Sequence, residues 1–460
     1  MKTIKYSLIT LVAFILCATN SNAQMAKSAY FLDGSFYNHQ LNPAMKPERA
    51  YFSLLTGTWS VAANSNFGIS NFLYPYGDDK LTTFMSSHVD QDVFLNSLPN
   101  SLQMSTDIST NLLGLGFRMF GGFTTFGITL NSSVSTNLPK GFFEFAKKGL
   151  QASSYNFSNL NINTMNYLAA TVGYSHEVFS GFRVGANVKY IMGLAHADLL
   201  IDKLNVELSG NRWMVESHAR VQAAAFCETN ATLNSENVIN GIEIGSLSPS
   251  SSGFGIDLGV VYDMDSIVPG LKFSASVVDL GFINWKHMMK GQSTPVKVEF
   301  NGFNNIDYND MESSMDAEFE RLGNDAAKML EFNYDGVEKE NTRLNTTMYL
   351  GAEYNLPYYR PLSVGILYSH CFSPFISNKW YEVRGFLNIA PLKWFEATVN
   401  YGYGTYGTSL GWMLNFHPAA INFFIGSDFM VTKVTPQFLP VDDLNAHITF
   451  GLNIALGKRK

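Results

Sequence analysis

Apolar and polar residues alternate with a period of two along most of the chain. Between Phe182 and Leu194 every even position is apolar, whereas the odd positions are polar or glycine except for Ile191. Successive side chains of a β-strand point to opposite faces, so this pattern predicts a strand with one apolar and one polar face. The same alternation recurs in the segments 125–135, 213–223, 253–262, 394–403 and 446–456.

The predicted strands are long and are joined by short turns such as those at 121–122 and 180–181. Strands of soluble proteins average about 5 to 6 residues, whereas a strand that crosses an outer membrane needs about 9 to 11. Aromatic residues collect near the predicted strand ends, where the interfacial girdles of membrane barrels lie. Alternation alone would also fit a soluble sandwich, but strand length, aromatic placement and the predicted secretion favour an all-β, closed antiparallel transmembrane β-barrel.

Candidate strands number about seventeen, from 50–63 to 444–457. Because single-chain bacterial barrels have an even number of strands, we merge some candidates and predict about 14 strands, within a range of about 12 to 16. The side of each loop is harder to assign. No single assignment of sides accommodates all of the longer connections, which are 64–102, 138–154, 226–252 and 302–342.

The N-terminus predicts secretion. Two lysines precede an apolar stretch at 6–18, and small residues follow at 21–23, which predicts a signal peptide that is cleaved before Gln24. A lipoprotein signal built on Cys17 is the alternative. It is less favoured because Leu16 stands where lipoprotein processing requires a small residue.

Composition excludes several classes of protein. With 46% apolar and 14% aromatic residues the chain is not disordered. Mean hydropathy is +0.01, and after the first twenty residues no apolar run reaches the roughly 18 residues of a membrane-spanning helix. The net charge is −7 and the basic residues cluster only at 458–460, so we expect no nucleic-acid partner.

One acidic segment carries the charge asymmetry of the chain. Residues 305–340 include eleven acidic and three basic residues, and the apolar positions between 306 and 331 recur every three or four residues, which predicts an amphipathic helix. The helix is either a lid that docks a protein partner or, as charge runs usually indicate, a solvated helix. Its apolar stripe includes Met311, Met315, Phe319 and Leu322. A shorter amphipathic piece at 141–150 is predicted to lie at the membrane interface.

Residues that could carry chemistry do not form a recognisable site. The glycines at 402–407 match GxGxxG but lie between two predicted strands, which indicates a hairpin turn. The two Tyr-Ser-His sequences, at 174–176 and 368–370, place serine and histidine on opposite strand faces, although an enzyme built from separate strands stays open. Cys227 and Cys371 could form one disulfide but are more simply two unpaired thiols. We expect no enzymatic activity, metal ion or cofactor.

Four segments of the chain resemble a known family. That family is an uncharacterised group of Bacteroidota outer-membrane barrels, related to the long-chain fatty-acid transporter (FadL) type and to the PorV proteins. The resemblance covers nearly the whole mature chain and implies a location in the bacterial outer membrane. The segments are 29–44, 64–75, 253–262 and 274–285.

The resemblance also implies a domain organisation. An N-terminal lumenal segment would include Asn42, Pro43 and Ala44 as part of a plug. The predicted parts are a signal peptide at 1–23, the lumenal plug segment at 24–49, and the barrel at 50–460 with a helical insertion near 305–340.

Two functions follow from these expectations. The first is FadL-like uptake or binding of a hydrophobic small molecule, in which the lumenal Gly253, Gly255 and Gly259 let the plug lie close to the wall and Asp257 shares their face. The second is a non-transporting barrel, surrounded by outer-membrane lipid, that serves secretion or surface anchoring by docking a protein partner. An apolar cavity behind the plug would favour the first function, whereas a filled lumen with an exposed apolar patch around 311–330 would favour the second.

Overall fold

The computed structural model describes residues 26–77, 80–149, 154–209, 212–247, 251–294, 296–300, 331–359, 361–429 and 445–457. Antiparallel strands account for most of them. The strands are β1 (Ala50–Leu54), β2 (Trp59–Ser65), β3 (Leu73–Pro75), β4 (Leu81–Thr83), β5 (Ser101–Met119), β6 (Gly122–Pro139), β7 (Ser154–Asn156), β8 (Leu160–Phe179), β9 (Phe182–Ser209), β10 (Arg212–Ala225), β11 (Cys227–Leu233), β12 (Ile239–Leu247), β13 (Ser252–Asp263), β14 (Leu271–Ser293), β15 (Val296–Phe300), β16 (Phe332–Arg343), β17 (Thr346–Asn355), β18 (Leu362–Phe372), β19 (Trp380–Leu392), β20 (Phe395–Gly404), β21 (Gly407–Phe416), β22 (Ile421–Ser427) and β23 (Ala446–Leu456). The helices are α1 (Gln91–Ser97) and α2 (Gly141–Lys148), and short 3₁₀ turns lie at Lys27–Ala29, Asn38–Gln40, Ile69–Asn71 and Ile376–Asn378.

The main sheet closes on itself as a barrel. The last strand pairs with the first two, with Leu456 opposite Ala50 and Phe450 opposite Trp59. Every neighbouring pair around the ring is antiparallel. The wall has fourteen positions, so the prediction of a closed antiparallel barrel of about 14 strands is confirmed. Their order is β1 with β2, β5, β6, β8, β9, β13, β14, β17, β18, β19, β20, β21, β22 and β23.

Several strands share a position in the wall, which explains the larger number of candidates in the sequence. Strands β1 and β2 form one strand that is interrupted between Leu54 and Trp59, since both pair with β5 and β23. We call the end of the barrel at Ser209 of β9 and Ser293 of β14 the upper end. Strand β10 pairs with the upper parts of β9 and β14, while β13 pairs with their lower parts. Strand β16 continues into β17 along β14 in the same way.

All four of the longer connections leave the same end of the barrel, contrary to the sequence analysis. The other end has only short turns among the described residues, such as 120–121 and 180–181, and we call it the short-turn end. The sequence analysis found no consistent assignment because of β10, which spans only the upper half of the wall. Counted as a full crossing, it places the connection 226–252 on the wrong side.

The outward face of the wall is apolar and the inward face is polar. In β19 and β20, Leu387 and Val399 are 51% and 53% exposed, whereas the adjacent Asn388 and Asn400 are buried inside the barrel. The apolar faces therefore do not meet across a dry interior, as they would in a sandwich. An exposed apolar surface that surrounds the whole barrel is suited to lipid.

Aromatic residues occupy the outer surface at both ends of the barrel. In β20, Phe395 and Tyr403 lie eight residues apart, which is about 20 Å along the barrel axis at a strand tilt of roughly 40°. This separation approaches the roughly 25 Å apolar band of outer-membrane barrels. Members at the short-turn end include Phe117, Phe120, Phe179, Phe182, Tyr262, Trp394, Phe395 and Phe416; members at the opposite end include Phe372, Tyr381 and Tyr403.

None of the helices among the described residues is long and apolar enough to span a membrane. The amphipathic piece predicted at 141–150 is α2, whose apolar face packs on protein rather than on lipid. Phe142 stacks on Phe157 at 4.6 Å between ring centroids, and Phe143 contacts Phe72 at 5.2 Å. Lys147 donates to three backbone carbonyls of the 64–102 connection, which ties α2 to that connection.

Only the end of the predicted helical insertion lies within the described residues. Residues 301–330, which include most of the predicted helix, lie outside them. Residues 332–340 form part of strand β16 instead, and they pair with the upper part of β14.

Leu387→Arg is expected to lower the free energy of unfolding in phospholipid vesicles by about 2 to 4 kcal/mol, because it places a charge in the apolar band. Tyr358→Arg is the matched control, since Tyr358 is fully exposed in a turn at the short-turn end; its effect should stay within about 0.5 kcal/mol. Urea titration followed by heat-modifiable gel mobility measures both. Equal effects of the two variants would argue against lipid around Leu387.

Candidate functional site

Residues 26–49, which we call the inner segment, lie inside the barrel. Tyr37 donates to Asn453 of β23 at 2.6 Å and lies 2.7 Å from the Ser53 hydroxyl of β1. On another side of the lumen, Ser276 of β14 donates to the Leu41 carbonyl at 2.7 Å. The inner segment therefore crosses the barrel and touches widely separated wall strands.

Aromatic side chains of the inner segment pack on inward-facing aromatic residues of the wall. Phe31 contacts Phe386 edge to face at 5.1 Å between ring centroids, and Phe36 stacks on Tyr51 at 5.2 Å. All four side chains are buried. This packing supplies the apolar burial that keeps in place a segment whose regular structure is limited to two short 3₁₀ turns.

The predicted residues Asn42, Pro43 and Ala44 lie against the wall. The Asn42 amide donates to the carbonyls of Val260 at 3.2 Å and Ala275 at 3.3 Å. Its side-chain oxygen accepts the Ala44 backbone N–H at 3.0 Å, so Asn42 also fixes the local turn.

Of the three glycines predicted to lie next to the plug, only Gly259 contacts the inner segment. A methyl group on Gly259 would overlap Asn42 and Pro43, so this glycine allows the inner segment to lie directly on β13. The nearest atoms to such a group on Gly253 belong instead to Phe282 and Ile283 of the neighbouring strand. On Gly255 they belong to Ile191, Leu344 and Lys189. Sequence analysis missed Gly185, where a methyl group would overlap the Pro43 carbonyl.

Asp257, the remaining predicted lumen residue, belongs to a buried cluster of charges. The Lys189 ammonium lies 2.8 Å from the Asp257 carboxylate and 2.7 Å from that of Asp279. Asn187 donates to Asp257 at 2.8 Å, and so does the Asp279 backbone N–H. Asp279 has a φ of +58°, and β13 has an irregular register around Asp257, so both carboxylates sit at distortions of the wall. Burial of these charges is tolerated because they are paired.

A second group of charges holds the beginning of the inner segment. The Asp428 carboxylate accepts the backbone N–H groups of Lys27 and Ser28, both at 2.8 Å, and the Ser28 hydroxyl at 2.6 Å. The Lys27 ammonium pairs with Glu382, which also pairs with the buried Arg384. Burial raises the pKa of the Asp428 carboxyl, but Arg384, His447 and Lys27 outweigh burial and hold this pKa well below its usual range.

Two small cavities lie in the lumen next to these charges. The Asp107 cavity measures about 90 Å³ and is lined by Lys27, Glu382 and Asp428 among others. The Lys189 cavity measures about 100 Å³ and lies between the wall and His39 to Leu41. Sites for drug-sized ligands measure roughly 300 to 1,000 Å³, so both cavities suit water better than a large ligand.

Residues 373–379, which we call the inner loop, form a second closure nearer the long loops. They connect β18 to β19, yet Ser377 contacts Ser135 of β6 at 2.8 Å and donates to Asn161 of β8 at 3.1 Å. Ser377 and Asn378 are buried. The inner loop therefore reaches across the lumen to the opposite wall, and nothing in the alternation of the sequence indicates this.

An apolar cluster of inward-facing residues lies between the two closures. Phe375 of the inner loop and Tyr167 pack against it. We call it the Trp285 cluster, and its fully buried members are Met165, Ala169, Ile191, Ala224, Ile283, Trp285, Met288 and Leu344.

Other residues singled out in the sequence lie elsewhere. The docking residues Met311, Met315, Phe319 and Leu322 fall outside the described residues. The glycines at 402–407 form the hairpin turn between β20 and β21, as predicted. Ser175 is buried on the inner face whereas His176 is exposed on the outer face, so the two face opposite ways as expected. No disulfide joins Cys227 and Cys371, and among the described residues no group of three side chains could hold a metal ion.

Gly185→Ala is expected to loosen the inner segment, because the methyl group would overlap the Pro43 backbone. Hydrogen exchange of residues 26–49 should accelerate roughly 5- to 100-fold, as overpacking costs about 1 to 3 kcal/mol. Gly385→Ala in β19 is the matched control, since its methyl group would meet no atom within 4 Å. Unchanged exchange in the Gly185 variant would contradict this account of how the inner segment is seated.

Acid is expected to loosen the inner segment through His39. Burial, with a smaller contribution from the Lys189 charge, lowers the pKa of His39 to about 4. In a released segment, His39 would regain its ordinary pKa of 6.5 and would bind the proton more tightly. The seated state is thus weakened as pH falls from 6.5 towards 4, by about 2 kcal/mol at pH 5. Hydrogen exchange of 26–49, corrected for intrinsic rates, should show this loss between pH 7.5 and pH 5.

His39→Gln is the control for the acid effect, because glutamine does not titrate. The free energy of opening obtained from exchange should fall on acidification by about 2 kcal/mol less in this variant than in the wild type. If both proteins respond equally to acid, another group is responsible.

Comparison with known proteins gives one family and a set of distant structures. The sequence model of a family of unknown function, DUF5723, matches residues 43–428. No curated protein matches the chain. Among solved structures, the chain is similar to the toluene transporter TbuX of Ralstonia pickettii, with 10% identity, a TM-score of 0.40 and coverage of 95% of this chain and 96% of that one. A FadL homologue of Pseudomonas aeruginosa gives 10% identity, a TM-score of 0.40 and coverage of 94% and 98%.

Proposed function

The chain belongs to the DUF5723 family. We propose that it is an outer-membrane channel that takes up a hydrophobic small molecule and is closed by its own N-terminal segment. The observation that carries the proposal is the inner segment, which crosses and obstructs the lumen of a complete barrel.

The outer membrane is the location that the surface of the barrel supports. The outward face is apolar around the whole wall, with aromatic residues at both ends. The N-terminal sequence predicts export, and a barrel that leaves no unpaired sheet edge is one of two ways to satisfy backbone groups in lipid. We also propose, from the resemblance in sequence, that the chain is related to the Bacteroidota outer-membrane barrels and the PorV proteins.

The contacts of the inner segment are suited to a reversible closure. Several of them are polar, such as those of Asp428 with Lys27 and Ser28, and water can replace such contacts. The segment joins the wall at Ala50, where β1 begins, so residues 26–49 can move without breaking the main sheet. We propose Asn42, Pro43, Ala44 and Gly259 as the contact between this plug and the wall.

A hydrophobic cargo is supported by the Trp285 cluster. A channel for hydrophilic solutes would require polar side chains along its whole path, yet this cluster presents eight buried apolar side chains inside the barrel. The two cavities next to the inner segment are small and lined partly by charged side chains such as Lys27 and Lys189, so they do not supply the apolar cavity behind the plug that would favour uptake. We expect no enzymatic activity.

Protein docking is the second candidate function. The upper parts of β9, β10, β14 and β16 extend beyond the fourteen-strand region, and this extension carries ion pairs such as those of Lys290 with Glu338 and Glu340. A charged sheet that projects from the long-loop end offers a surface to a protein partner. Retention of a defined partner without any uptake would favour this function.

Uptake by whole cells tests the main proposal. Bacteria that express the chain in their outer membrane should accumulate labelled toluene or oleate several-fold faster than cells with an empty vector, because lipopolysaccharide retards apolar solutes. The polar substrate nitrocefin is the matched control and should enter no faster. The proposal fails if neither hydrophobic probe enters faster, or if nitrocefin entry rises equally.

A further inference from the structure

The Trp285 cluster contains a buried polar atom that the packing does not explain. Trp285 is fully buried, and its indole N–H has no hydrogen-bond partner among the described residues. Buried indole N–H groups usually find an acceptor, and leaving one unpaired costs free energy. The register of β14 against β16 shifts between Trp285 and Met288, and such bulges redirect side chains and recur at functional sites.

The surroundings of Trp285 suit a flat apolar group. The His196 ring stacks on the indole at 5.6 Å between centroids and at 20° between planes, and Phe375 lies 6.0 Å from His196. Met165 and Met288 complete the cluster, and their flexible side chains adapt to ligands of different shape. Rings and methionine side chains thus pack around the residue that carries the unpaired donor.

Phe375 is the part of this arrangement that can leave most easily. It is only half-buried, and it belongs to the inner loop rather than to the wall. The contacts of Ser377 with Ser135 and Asn161 hold that loop across the lumen. The Phe375 ring therefore covers the cluster from the long-loop side and could be replaced by a ring of similar size.

We propose that the Trp285 cluster is a binding site for a neutral, ring-containing hydrophobic molecule that carries one hydrogen-bond acceptor, and that Phe375 occupies the site when the molecule is absent. The acceptor would take the hydrogen bond of the Trp285 N–H, and the ring would pack on His196 and the methionines. This inference rests on the proposed function, since uptake of a hydrophobic molecule requires a lumenal site.

The cargo is neutral because the cluster offers no charge. An ionised carboxylate would lose its hydration without a cationic partner. Lys189 lines the adjoining cavity, which also includes Ala169 of the cluster, but its ammonium is already paired with Asp257 and Asp279. A ketone, ester or phenol therefore fits the site better than a fatty-acid anion.

Fluorine NMR of protein labelled with 5-fluorotryptophan tests the site in detergent micelles. Acetophenone and α-methylstyrene are the probes, since they have nearly the same shape but differ in an acceptor oxygen. Acetophenone should shift the Trp285 resonance, which Trp285→Phe identifies by its absence. The resonances of Trp59 and Trp394, which are exposed on the outer surface, should move only as the micelle changes. A Trp285 resonance that moves no more than these two would overturn the proposal.

Two variants test the acceptor and the replaceable ring. Phe375→Ala should tighten binding of both probes roughly 10-fold, because the ring no longer competes for the site. Phe372→Ala is its matched control, since Phe372 is exposed on the outer face, and it should leave binding unchanged. In Trp285→Phe the preference for acetophenone over α-methylstyrene, measured by titration calorimetry, should fall about 5- to 10-fold. An unchanged preference in a variant that keeps its heat-modifiable mobility would overturn the proposal.

Failure of this inference is distinguishable from failure of the proposed function. If cells take up toluene but Phe375→Ala and Trp285→Phe change neither binding nor uptake, the channel stands and the site lies elsewhere. If acetophenone binds at Trp285 but no probe enters cells faster, the site stands and the transport function fails. Faster entry of benzoate than of acetophenone would contradict the neutral cargo.

Discussion

Backbone hydrogen bonding in an apolar solvent is the constraint on which the structure depends. A strand in lipid cannot give its N–H and C=O groups to water, so the sheet must close and leave no edge. Closure here joins β23 to β1 and β2, and the even number of fourteen strands makes that junction antiparallel like all the others. A ring of this size encloses more space than its own inward side chains fill. The chain fills much of that space with residues 26–49 and 373–379.

Paired charges inside the lumen organise this filling. Lys189 lies between two carboxylates, and Asp428 accepts hydrogen bonds from the first residues of the inner segment. Such groups contribute little net stability after their desolvation, but each has strict geometric requirements. Their arrangement fixes where the inner segment begins and how it lies, whereas the aromatic packing of Phe31 and Phe36 supplies the burial.

The sequence predicted the wall better than the interior, for physical reasons. Alternation reports which face of each strand meets lipid, so the barrel followed from it, whereas the strand number also required the rule that such barrels have an even number of strands. The contact of Asn42 with Gly259 could be predicted because a glycine on an inward face indicates the close approach of another segment of backbone. Pairs such as Lys189 with Asp279 depend on register between distant strands, and the path of residues 373–379 depends on the opposite wall. Neither leaves a local pattern.

The contacts of the inner segment with the C-terminal quarter of the chain have a consequence for biogenesis. Residues near the N-terminus emerge first from the ribosome, yet Ser28 and Tyr37 find their partners at Asp428 and Asn453, which are synthesised last. The nascent polypeptide must therefore keep these early residues unengaged until the final hairpin arrives. Insertion machinery that releases the barrel only after its seam is joined would trap them inside as it does so, and the finished protein would enter the lipid bilayer already sealed.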